Sequence, residues 1–83
     1  MSDLAYKYGL ADELCTVQKQ KFLEKEPRPS WRETPYTLAE YEAWLRREVD
    51  ELLAAPATEV MREAADVANL AAIYADVKRR GGR

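Results

Sequence analysis

Histidine is absent from the 83 residues of this chain, and cysteine occurs only once, at Cys15. These absences exclude an internal disulfide, zinc sites with histidine ligands, histidine-based nucleophilic triads and the Glu-x-x-His di-iron bundle. Cys15 alone makes no metal cluster and is interpreted as a small buried or half-buried apolar residue. The chemistry that remains for metal binding or acid–base catalysis is mainly that of carboxylates.

Long apolar runs are also missing, and the first residues lack the basic-then-apolar order of a signal peptide. We therefore expect a cytoplasmic protein with no membrane contact. The net charge is −2, from 13 basic and 15 acidic residues. This differs from the basic surface with which nucleic-acid-binding proteins neutralise phosphates, so no nucleic-acid partner is expected.

The spacing of apolar residues predicts a single all-α domain over residues 1–83, because no segment alternates with a period of two. Helix one is predicted over about 10–26, with Leu10, Leu14 and Val17 as its apolar stripe. A start near Asp3 and a break at Gly9 are left open. A proline-rich loop over 27–36 follows, since its three prolines cannot continue a helix.

Two further helices are predicted after this loop. Helix two covers about 38–54, and Thr37 and Glu40 have the spacing of a capping box at its start. Helix three covers about 57–80, with Pro56 suited to its first turn and glycines 81–82 after its end. The short connection makes helices two and three an antiparallel hairpin.

Four acidic residues lie on or beside the predicted apolar stripes of this hairpin, as the pairs Glu48/Glu51 and Glu63/Asp66. Residues three apart on a helix lie about 60° apart, so each pair shares a face. Solvated acids paired with nearby arginines are the ordinary explanation of such residues. The arginines available for this are Arg46, Arg47 and Arg62.

Convergence of the four acids across the hairpin would favour a different explanation. Like charges about 4 Å apart near a protein surface repel by roughly 4 kcal/mol, so the arrangement calls for a cation between them. Oxygen ligands without histidine or cysteine favour a hard ion, which makes Mg²⁺ the expected metal, with Mn²⁺ as the alternative. The expected ligands are Glu48, Glu51, Glu63 and Asp66.

The two acidic motifs also resemble a known family. The segments RREVDELLAA and REAADVANLAAIYAD, preceded by QKQKFLEKEPRPSW, are similar to short single-domain MazG-like proteins of bacteria and phages. Their superfamily is the all-α nucleoside triphosphate pyrophosphohydrolases, with the signature EXXE…EXXD. The likeness covers about residues 17–76. The spacer between the two motifs, residues 52–62, has a length at or just below that usual in the family.

The resemblance implies Mg²⁺-dependent hydrolysis of a nucleoside triphosphate to a monophosphate and pyrophosphate. It implies that the four carboxylates bind the metal and that either Glu48 or Glu51 acts as the general base. It also points to a homo-oligomer, a dimer or tetramer in which helices two and three build a four-helix core. A non-catalytic helical dimerisation module on the same scaffold is the alternative function.

Three more residues are candidates for substrate binding. Asn69 follows Asp66 by three residues and would touch sugar or phosphate, or else be a surface amide. Lys21 continues the apolar stripe of helix one, where it would neutralise a phosphate or extend its stem along the core edge. Trp31 would stack on a base or close the end of the bundle. Trp44 is interpreted as packing.

Overall fold

The computed structural model describes residues 3–24 and 36–82 and contains three helices within them. They are α1 (Asp3–Glu24), α2 (Leu38–Ala54) and α3 (Val60–Arg79), and no strand occurs in these ranges. The expected all-α class and helix count are therefore confirmed. None of the three helices is long and apolar enough to cross a bilayer.

The first helix is longer at its N-terminus than the range of 10–26 that apolar spacing predicted. It begins at Asp3 and passes through Gly9 without a break. An added Cβ on Gly9 would meet no atom within 4 Å, so this glycine marks neither a turn nor a close approach. Leu10, expected in the apolar stripe, is exposed, and so is Cys15, which was wrongly expected to be at least half-buried; Leu14 and Val17 are half-buried. The residues of α1 that are partly buried therefore lie in its C-terminal half.

The second helix begins with the capping box. The Thr37 hydroxyl accepts from the Glu40 N–H at 3.1 Å, and the Glu40 carboxylate accepts from the Thr37 N–H at 3.2 Å. These bonds satisfy two backbone donors that the first turn of a helix leaves unpaired. A serine- or threonine-type cap contributes about 1 kcal/mol. The start of α2 is therefore defined by two residues alone.

The third helix starts at Val60, three residues after the predicted start at 57. Residues 57–59 instead form a turn, in which the Glu59 N–H donates to the Pro56 carbonyl at 2.9 Å. This three-residue hydrogen bond precedes the first helical one, from Glu63 N–H to the Glu59 carbonyl. Pro56 thus opens the turn and does not lie in the helix, because the chain must first reverse direction.

Two glycines end α3 as expected. Gly81 has a φ of +80°, a conformation that costs glycine little. The Gly81 N–H donates to the Lys78 carbonyl and the Gly82 N–H to the Val77 carbonyl, at 3.1 and 2.9 Å. This pair of bonds is the Schellman motif, which satisfies carbonyls left over at a helix C-terminus.

The third helix lies at the centre of the domain. It packs against both α1 and α2, whereas α1 and α2 do not pack on each other in the described residues. Within residues 3–24 and 36–82, the buried apolar residues are few: Tyr41, Ala65 and Leu70. Ala65 on α3 is 0% exposed, which shows how closely the neighbouring helices approach this helix.

Candidate metal centre

Three acidic side chains converge where α2 packs on α3. Glu48 from α2 and Glu63 and Asp66 from α3 each present a carboxylate oxygen, and these oxygens lie within 4.8 Å of one another. All three residues are half-buried. We call this group the carboxylate cluster. It forms because Glu48 lies at the edge of the α2 face that packs on α3, while Glu63 and Asp66 are one helical turn apart.

The pKa of Glu48 is raised above its ordinary value. Burial is the main cause, followed by a hydrogen bond with the Glu51 side chain and the charge of Glu51. The charges of Asp66 and Glu63 add to the effect. Two negative charges 4.8 Å apart repel by roughly 3.5 kcal/mol near a protein surface. The cluster is therefore electrostatically unfavourable when all its members are ionised and nothing neutralises them.

Two of the three arginines near the four acids form ion pairs with other carboxylates. Arg46 forms an ion pair with Glu42 at 2.6 Å, and Arg62 forms one with Glu24 of α1 at 3.1 Å. One carboxylate oxygen of Glu63, Oε2, is buried and accepts no hydrogen bond. The ordinary explanation, in which each acid is a solvated surface residue, therefore does not describe Glu48, Glu63 and Asp66, which are half-buried and lie close together.

A lysine from α1 completes the site. The Lys21 ammonium lies 3.2 Å from Asp66 Oδ2, and the two side chains are only 14% and 13% exposed. This contact connects α1 to the cluster that α2 and α3 build. Lys21 was expected to meet a phosphate or to extend along the core edge; in the structure it is an ion-pair partner of Asp66.

Two further contacts hold α1 along α3 on either side of this ion pair. The Asn69 amide Nδ2 donates to the Gln18 carbonyl at 3.1 Å, and Arg62 pairs with Glu24. From one contact to the next, the residue number increases along α3 while it decreases along α1, so the two helices run antiparallel. Asn69 is buried, and its Oδ1 accepts no hydrogen bond. It is thus no surface amide, and its donor already serves the backbone of α1.

Glu51 and Trp31 differ from the other expected site residues. Glu51 is exposed and is not one of the three side chains whose oxygens converge, although it contributes to the raised pKa of Glu48. Its position at the edge of the cluster agrees with its place on the flank of the apolar stripe. Trp31, with most of the proline-rich loop over 27–36, lies outside the described residues.

An aromatic groove on α2 was not expected from the sequence. It has a volume of about 350 Å³ and is open to solvent. Trp44, interpreted as packing, lines it, and the other lining residues are Tyr36, Glu40, Ala43 and Arg47. Glu40, Trp44 and Arg47 lie four and three residues apart, which is the helical spacing that could have revealed this face.

The carboxylate cluster fits a hard divalent cation. Its donors are all oxygens, and one of them, Glu63 Oε2, is buried without a hydrogen-bond donor. Ligand oxygens around octahedral Mg²⁺ lie about 3.0 Å apart when adjacent and about 4.2 Å apart when opposite, so oxygens within 4.8 Å need move by about 1 Å each. Glu48, Glu63 and Asp66 are the residues that would hold the ion, and Glu51 borders them.

The raised pKa of Glu48 leads to a pH-dependent stability in the absence of metal. The folded protein retains a proton on Glu48 at pH values where the unfolded chain has lost it, so the free energy of unfolding falls as pH rises from about 4 through the raised pKa. Below this range both states are protonated and the difference disappears. In EDTA, we expect the melting temperature of Glu48→Gln minus that of the wild type to increase between pH 4 and 7.

Thermal melts followed by circular dichroism measure this difference. Asp50→Asn, which removes an exposed carboxylate on the same helix, serves as the control and should show no such increase. If the melting-temperature difference between Glu48→Gln and the wild type stayed constant with pH, ionisation of Glu48 would not destabilise the folded protein and the prediction would be wrong.

No protein-family model matches the chain, and no curated protein or solved structure shows significant similarity to it. The likeness to MazG-like proteins therefore depends on the motif residues alone.

Proposed function

We propose that this protein is a Mg²⁺-dependent nucleoside triphosphate pyrophosphohydrolase of the MazG-like type. The observation that supports it best is the convergence of Glu48, Glu63 and Asp66 from two helices within 4.8 Å. A side-chain arrangement this costly without a cation is hard to explain by stability alone. The reaction would be NTP or dNTP plus water giving the monophosphate and pyrophosphate.

The residues have separable roles in this proposal. A Mg²⁺ bound by the cluster would coordinate phosphate oxygens and offset the charge that develops during transfer. Glu48, Glu63 and Asp66 hold it. Glu51 is exposed and lies outside the converging oxygens, so it is the carboxylate left to orient and deprotonate the attacking water. This assignment chooses between the two bases that the motif left open.

A direct assay tests the proposed activity. The purified protein is incubated with Mg²⁺ and each of the common NTPs and dNTPs, and pyrophosphate and monophosphate are measured separately. Equal amounts of both products, dependent on Mg²⁺ or Mn²⁺ and abolished by EDTA, are expected. Release of inorganic phosphate in place of pyrophosphate, or no turnover of any nucleotide, would refute the activity.

We also propose that the protein is a homo-oligomer with a four-helix core from α2 and α3. Large apolar side chains remain uncovered, and Leu53 of α2 is 79% exposed. Val49, one turn before Leu53, is exposed on the same side, next to half-buried Leu45 and Leu52. Such a continuous apolar strip on a small domain is typical of an interface.

Analytical ultracentrifugation at micromolar concentration checks the assembly. We expect a mass of two or four times the 9.5 kDa of the chain, and a shift towards the monomer in Leu53→Glu. Leu23→Glu, which changes a leucine of α1 that is 72% exposed, is the matched control and should leave the mass unchanged. A wild-type mass of one chain would contradict the proposal.

The same uncovered strip supports the second candidate function, a non-catalytic helical dimerisation module. That function needs the strip but gives no role to the carboxylate cluster. An oligomer that turns over no nucleotide and gains stability when Glu48 or Asp66 is neutralised would favour the module.

A further inference from the structure

The Lys21 side chain is placed where a cation would compete with it. Its ammonium lies 3.2 Å from Asp66 Oδ2, and Asp66 is a member of the carboxylate cluster. Both side chains are largely withdrawn from solvent, so their mutual attraction is screened less than that of a surface pair. Lys21 thus brings a positive charge from α1 to the three acidic side chains of the cluster.

The position of Lys21 is set by contacts of residues on either side of it, one through the backbone of Gln18 and one through the carboxylate of Glu24. Gln18 receives the Asn69 amide, and Glu24 receives the Arg62 guanidinium. These contacts lie about one helical turn before and after Lys21 and do not use its side chain. The α1 helix can therefore stay on α3 while the flexible Lys21 side chain changes its partner.

We propose that Lys21 is an internal counter-ion of the carboxylate cluster, which holds Asp66 when no metal is bound and competes with a divalent cation for it. The proposal rests on the cation binding of the proposed function but not on hydrolysis. When Asp66 binds a cation, the ammonium is repelled and its Nζ is released towards the phosphates of a substrate. Lys21 would thereby make substrate binding depend on prior occupation of the cluster.

Because Lys21 and the cation compete for Asp66, thermodynamic linkage predicts the direction in which removing the ammonium changes the cation affinity. Removing the ammonium should strengthen cation binding, because the ion no longer displaces a favourable partner from Asp66 and no longer faces a like charge. Coupling between two ligands of one site is commonly 5–150-fold, and we expect Lys21→Met to lower the Kd for Mn²⁺ by about tenfold. Lys21→Arg keeps the charge and should stay within about twofold to threefold of the wild type.

Mn²⁺ is the probe, since its binding is measured directly by electron paramagnetic resonance without any turnover. Arg62→Met is the matched control, because it removes the neighbouring contact between α1 and α3 and leaves the Lys21–Asp66 pair in place. A second measurement is the melting temperature with and without saturating Mn²⁺. The stabilisation by Mn²⁺ should be larger in Lys21→Met than in the wild type, since in this variant the ion no longer has to displace the Lys21 ammonium from Asp66.

The outcomes are distinguishable from those of the hydrolysis assay. Tighter Mn²⁺ binding by Lys21→Met but not by Arg62→Met supports the proposal, whether or not any nucleotide is hydrolysed. Unchanged or weaker binding by Lys21→Met overturns it, even if the enzyme is active. Absence of Mn²⁺ binding at millimolar concentration in both wild type and variant also overturns it. If Lys21→Met does not fold without metal, Lys21→Gln, which retains a neutral donor, is titrated under the same criteria.

Discussion

Replacing Glu48 by glutamine or Asp66 by asparagine is expected to lower Mg²⁺-dependent pyrophosphate release by about a hundredfold or more. Groups that only support metal ligands already contribute 10–100-fold, so the loss of a ligand should cost at least as much. Both substitutions keep the shape of the side chain and remove one negative charge from the carboxylate cluster. Turnover per protein at saturating Mg²⁺ is the measurement.

Glu51→Gln separates the proposed base from the proposed ligands. Because Glu51 lies outside the three converging oxygens, its substitution should lower turnover while leaving Mn²⁺ affinity close to that of the wild type. Glu48→Gln should lower both. Equal loss of Mn²⁺ affinity in the two variants would assign Glu51 to the ligands and leave the base unidentified.

Asp50→Asn is the control for these substitutions, since it removes an exposed carboxylate on α2 between Glu48 and Glu51. It should keep both turnover and Mn²⁺ affinity. Full activity in Glu48→Gln and Asp66→Asn would mean that the carboxylate cluster is not the reaction centre.

Tyr41→Ala is expected to reduce the free energy of unfolding by about 3–5 kcal/mol, the usual cost of truncating a buried aromatic side chain. Tyr41 is 2% exposed and is one of the few fully covered apolar residues in the described part of the chain. Its ring also meets Tyr36 edge-on, with centroids 5.7 Å apart. Domains of this size are stable by only about 4–12 kcal/mol, so much of the stability would be lost.

Tyr41→Phe tests the same position without a cavity and should behave in the opposite way. The Tyr41 hydroxyl is buried and has no hydrogen-bond partner among the residues that the structure describes, so its removal eliminates an unsatisfied polar group. We expect unchanged or slightly increased stability. Urea denaturation followed by circular dichroism, at one protein concentration throughout, measures both variants. A loss above about 1 kcal/mol in Tyr41→Phe would show that the hydroxyl is hydrogen-bonded in the folded protein.

The local structure of the chain follows from short stretches of sequence. Thr37 and Glu40 define the start of α2, and the glycines at 81–82 define the end of α3, because each device uses residues within one helical turn. The start of α3 was less predictable. Pro56 suits both a first helical turn and the turn before a helix, and only the packing of α3 against α2 selects the second.

The sequence by itself determined that this protein is helical and that its acids lie in pairs along two helix faces, since both properties depend on residue spacing within a helix. Only the tertiary structure decided that Glu48, Glu63 and Asp66 converge, that Glu51 remains at their edge and that Lys21 reaches Asp66 from α1. These contacts depend on the rotation and register of one helix relative to another. Rotation and register are set by how whole side chains pack between helices, and spacing along one helix carries no information about them.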